Sequence, residues 1–69
     1  MNDSSQQLFT ILLFERSTDP VYTNGSLMEA IGEDLEGLGR CLYDFRERGF
    51  IEYSITLTHT FIKILEMER

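Results

Sequence analysis

The chain has 69 residues, 12 Asp+Glu against 6 Lys+Arg for a formal net charge of -6, and a hydrophobic fraction of 42%. That fraction excludes a wholly disordered chain, and the length leaves room for a single domain over residues 1–69. One cysteine and one histidine exclude an internal disulfide and a Cys/His zinc site, and the longest uncharged apolar run, Leu8 to Phe14, falls far short of the ~20 residues of a membrane span.

Met1-Asn2-Asp3-Ser4-Ser5 lacks the basic opening of a secretory signal, so a cytoplasmic address is expected, with residues 1–4 disordered. Ser4 and Gln7 have capping-box spacing and open a helix that runs to about Ser17. Its body, Leu8-Phe9-Thr10-Ile11-Leu12-Leu13-Phe14, is leucine-rich, which favours helix although a buried strand has the same look. At 100° per residue Leu8, Ile11 and Leu12 share one face, Phe9 and Leu13 a second, and Phe14 a third. A helix apolar nearly all round needs cover on more than one side. Its own domain can wrap it, or a second copy can, through Leu8, Phe9, Leu13 and Phe14. A core this small supplies little stability, so a homodimer is the first expectation.

Asp19-Pro20 ends the helix, since the residue before proline is pushed out of the α region. Val21-Tyr22-Thr23 reads as a short extended piece and Asn24-Gly25 as a turn. Ser26 with Glu29 makes a second capping box, for a short helix through Leu27, Met28, Ala30 and Ile31 that Gly32 closes. The next helix begins near Glu33-Asp34 and stops at Gly49. Leu35, Leu38, Cys41, Leu42 and Phe45 fall on one face of it. Glu33, Asp34 and Glu36 sit in its first turn and Arg46 and Arg48 in its last, as the helix dipole favours. Its interior glycines, Gly37 and Gly39, each weaken it by up to ~1 kcal/mol. Phe50 to Thr58 then alternates, with Ile51, Tyr53, Ile55 and Leu57 on a buried face and Glu52, Ser54, Thr56 and Thr58 opposite. The remainder reads as a return strand after a turn at Thr58-His59-Thr60. The end, Leu65 to Arg69, also suits a helix; the hairpin is preferred.

The order helix, short strand, helix, tight turn, helix, glycine, strand pair resembles the winged helix-turn-helix domain of small transcription regulators. Gly39 to Glu52 looks like the end of a recognition helix, its glycine stop and the first wing strand, and Ser26 to Gly32 looks like the preceding helix. The resemblance spans nearly the whole chain. It implies an α+β fold, a small winged-helix-like domain of three helices with a C-terminal β-hairpin as the wing. It also implies duplex DNA as ligand, with the helix over 33–48 in the major groove. The outward positions of that helix would then be Glu33, Glu36, Gly37, Arg40, Tyr43, Asp44 and Glu47, and the wing would offer Thr58, His59, Thr60 and Lys63. On that reading DNA contacts fall to Arg40, Tyr43, His59 and Lys63.

Charge points elsewhere. Duplex binding rests on several lysines and arginines neutralising phosphates, and this chain has acids at the leading end of its reading helix. The preferred reading is a non-catalytic regulatory module that binds protein, either its own copy or a basic partner, with DNA binding as the alternative. The candidate contact residues are Glu33, Glu36, Arg40, Tyr43, Asp44 and Glu47, an acidic turn joined to the Arg and Tyr types common at interfaces. Each has an ordinary explanation beside it: dipole-favoured acids, a solvated arginine, a partly buried ring. His59 is read as polar loop and Cys41 as a small buried hydrophobe. No Ser-His-Asp or Cys-His set and no Gly-Lys-Ser/Thr phosphate loop is readable, so no catalytic residue, cofactor, metal site or membrane partner is expected.

Overall fold

The computed structural model describes residues 3–66 as α1 (Asp3–Leu13), β1 (Val21–Thr23), α2 (Asn24–Ile31), α3 (Leu35–Glu47), β2 (Ile51–Ile55) and β3 (His59–Ile64). The α+β reading holds, with three helices and a three-stranded antiparallel sheet of order β1-β3-β2.

The capping logic fails at α1. Asp3 and Ser4, expected to be disordered, lie inside the helix, and Ser4 is buried. Its Oγ donates to Glu33 Oε2, while Ser5 Oγ donates to Cys41 Sγ at 3.4 Å. Two small hydroxyls thus let α1 lie close against the start of α3. The helix stops at Leu13, well before Ser17, because Glu15 takes over the backbone amides. Its Oε1 accepts from the amides of Arg16 at 3.0 Å and Ser17 at 3.2 Å, and its Oε2 accepts from the Tyr22 hydroxyl at 2.8 Å. The Tyr22 hydroxyl first, and then the Ser17 amide, hold the Glu15 carboxyl below its ordinary range. Burial first, and then that carboxylate, pushes the Tyr22 phenol up.

The second capping box also gives way. Thr23, the last residue of β1, is the N-cap of α2; its Oγ1 accepts from the Ser26 amide at 3.2 Å. Asn24 and Gly25, expected as a turn, are the first residues of α2. Gly32 closes α2 in the left-handed conformation, φ 70°, as the sequence indicates. Asp34 caps α3 by accepting from the Gly37 amide at 2.8 Å, and Gly49, φ 79°, turns the chain out of it. The apolar face of α3 is Leu38, Cys41, Leu42 and Phe45, all buried; Leu35, expected among them, is 45% exposed beside the cap.

β3 is the central strand, pairing Val21↔Phe61 on one side and Tyr53↔Ile62 on the other. The hairpin turns two residues earlier than expected, over 56–58. Thr56 Oγ1 accepts from the amides of Thr58 and His59, doing the work that glycine or asparagine does in other turns. His59 and Thr60 therefore belong to β3, and Thr60 is fully buried. The alternating face of β2 fades outward, from Ile51 at 0% exposed to Leu57 at 95%, because the tip runs off the core. Leu65 and Glu66 are not helical, and the rest of the C-terminal helix expectation lies outside the described residues.

One side chain stitches helix to hairpin. Asn24 gives its backbone amide to Thr58 O at 2.9 Å and its Nδ2 to Thr56 O at 2.8 Å, and takes the Thr60 hydroxyl on Oδ1 at 2.6 Å.

Leu8, Leu12, Leu27, Ile31, Leu38, Leu42, Phe45, Ile51 and Ile62 form one core. Phe9, Phe45 and Phe50 meet in a ring cluster with centroids 5.8–6.1 Å apart, joining α1, α3 and the entry to β2. This removes Leu8 and Phe9 from the dimer surface expected on α1. Leu8 is 0% exposed and Phe9 is packed in the ring cluster, so α1 is wrapped by its own domain. Of that set Phe14 alone stands clear, 80% exposed past the end of the helix.

Candidate functional site

The solvent side of α3 is built by helical spacing. Glu36, Gly39, Arg40, Tyr43, Asp44 and Glu47 recur at three and four residues, opposite the apolar stripe that anchors the helix. Together with Tyr53 from β2 they line one open concavity of about 610 Å³. Five of the expected contact residues, Glu36, Arg40, Tyr43, Asp44 and Glu47, are thus brought together. Tyr53 was missed, since the alternation of β2 assigned it wholly to the core. Its signal was its place in a short strand directly after the helix, which folds it back alongside.

Glu33 and Gly37 do not belong to this face. Glu33 is half-buried and accepts from Ser4, beside a smaller polar recess that Ser5, Gly37, Cys41 and Arg48 also line and that shares Arg40 and Asp44 with the concavity. Gly37 is buried, contrary to its expected outward position: a Cβ there would lie 2.9 Å from the Cβ and Cδ of Glu33. Gly39 differs, because nothing comes within 4 Å of the place its Cβ would take.

The charges on the face are interleaved. Arg40 pairs with Glu36 at 2.9 Å, Arg48 with Asp44 at 3.1 Å, and Arg46 lies 3.7 Å from both Glu47 and Glu52. Each pair is exposed enough to contribute only about 0–1 kcal/mol, but each arginine is electrically answered where it stands. Lys63, for its part, lies opposite Glu52 across the β2–β3 pair. The residues named for DNA are also divided. Arg40 and Tyr43 line the α3 concavity, whereas Lys63 faces an apolar recess on the outer sheet with Val21 and Phe61. His59 opens the central strand β3, paired with Thr23, its Nδ1 2.8 Å from Thr58 Oγ1 and its ring 6.5 Å from Phe61.

Among the described residues no three His, Cys, Asp or Glu side chains gather to hold a metal ion, and no helix is long and apolar enough to cross a membrane. Cys41 is buried, with the Ser5 hydroxyl on its sulfur. No protein-family model, curated protein or solved structure matches the chain.

Proposed function

We propose that this chain is a non-catalytic regulatory module of winged-helix-like form that binds a basic protein partner through the outer face of α3. Support for the form is the element order, helix-strand-helix-helix-strand-strand, with the hairpin directly after the third helix. The observation that carries the binding mode is the pairing of every α3 arginine with an acid, on a chain of net charge -6. A phosphate backbone meets no uncompensated cation there and a chain of net charge -6. A basic partner is drawn by that net charge to a face where exposed acid–arginine pairs can exchange partners beside an exposed tyrosine. We read the module as a monomer: of the α1 residues on which self-association rested, Leu8 and Phe9 are packed in its own core and Leu13 is half-buried, which leaves only the Phe14 ring exposed.

The charge reversal Glu36→Lys with Glu47→Lys separates protein from DNA. Both positions are exposed, so the fold should survive. Capture from host lysate, with nuclease and without, is expected to give nuclease-resistant partners that the double variant loses. Duplex binding that strengthens in the variant, with protein capture unchanged, would overturn the reading in favour of DNA.

A further inference from the structure

We infer that the α3 concavity receives an arginine of the partner, not a lysine, with the partner's chain crossing α3 at Gly39; this rests on the basic-partner reading above. Gly39 supplies the first observation. A glycine inside a 13-residue helix costs stability, and its missing Cβ would meet nothing within 4 Å, so the fold itself gains nothing from it. Gly37 has a structural reason, in the Glu33 side chain that lies over it. Gly39 has none inside the molecule. What it leaves is a low point in the helix surface, flanked by Glu36 and Tyr43, where another backbone can come close.

The side chains around that low point supply the second observation. Tyr43 is 53% exposed, and among the described residues it has neither a ring contact nor a hydrogen bond. Tyr53 stands across the concavity. Among the described residues Glu47 has only the loose 3.7 Å approach of Arg46. A guanidinium is planar, weakly hydrated, stacks on a tyrosine face and offers two parallel N–H groups to one carboxylate. An ammonium can answer the carboxylate but gains less from the ring, because it holds its water more tightly. Aromatic faces beside an under-used carboxylate therefore select arginine.

The test uses the full chain, ¹⁵N-labelled, titrated with two short peptides of equal charge that carry arginines or lysines at the same positions. The arginine peptide is expected to bind about two- to fivefold tighter, which is the size of one cation–π contact at an exposed site. Its shifts should centre on Glu36, Gly39, Tyr43, Glu47 and Tyr53. Tyr43→Leu should bring the arginine peptide down to the level of the lysine peptide, and Gly39→Ala should weaken both. Equal affinity of the two peptides at these residues would overturn the arginine inference and leave a basic partner standing. Full binding by Gly39→Ala would overturn the crossing point. Shifts elsewhere, or none, would overturn both the inference and the reading on which it rests.

Discussion

At the scale of single residues, the two glycines of α3 should respond to alanine in opposite ways. Gly39→Ala adds a methyl to open space and removes unfolded-chain freedom, so it is expected to stabilise by about 0.5–1 kcal/mol. Gly37→Ala gains the same propensity but must displace Glu33 and its bond from Ser4, so the gain should vanish or reverse. Urea denaturation of both variants checks this, and equal stabilisation would show that Glu33 is not held where it lies. Glu15 gives a pH signature. Its carboxyl is lowered from 4.5 in the fold, so its contribution is present above about pH 4.5 and is lost as pH falls through the lower folded value. Tyr22→Phe removes the first cause of that lowering. The variant should show a flatter acid-side decline in urea midpoint than the parent, and parallel curves would remove Tyr22 from the account.

At the scale of elements, helix α3 was the most legible part of the chain, and the reason is that several signals coincide there. Its apolar spacing, the acids at its start and its glycine stop all point to nearly the same boundaries. Phe45→Ala is accordingly expected to cost about 3–5 kcal/mol, since the ring is fully buried and meets two others. A thermal melt close to the parent's would mean that the helix is turned the wrong way. The helix starts read less well because Ser, Thr and Asn compete for the same role. Ser26 has the spacing of a capping box, yet Thr23 holds the cap, since the strand pairing of β1 fixes where the helix must begin. Ser4 was misread for a related reason: its partner, Glu33, is distant in sequence and no local pattern reports it. The candidate site was legible in its α3 members, which follow from periodicity alone. Tyr53, which depends on how β2 folds back, was not.

At the scale of the whole molecule, α1 decides the state of association. Leu8→Ala should destabilise by about 2–5 kcal/mol, as a core truncation does, and leave the sedimenting mass at 8.1 kDa. A parent that sediments as a dimer, and a variant that does not, would return α1 to an interface. Asn24 carries a different consequence for the whole. Because it bonds to the carbonyls of Thr56 and Thr58 and to the hydroxyl of Thr60, the hairpin tip is fastened to the first turn of α2. The tip is therefore not a free flap. Its amides should exchange with solvent deuterium only when the helices open as well, so that one event governs both. Asn24→Asp keeps the shape but loses the Nδ2 donor to Thr56 O, and it should release the hairpin into faster exchange while the Phe45 region keeps its protection.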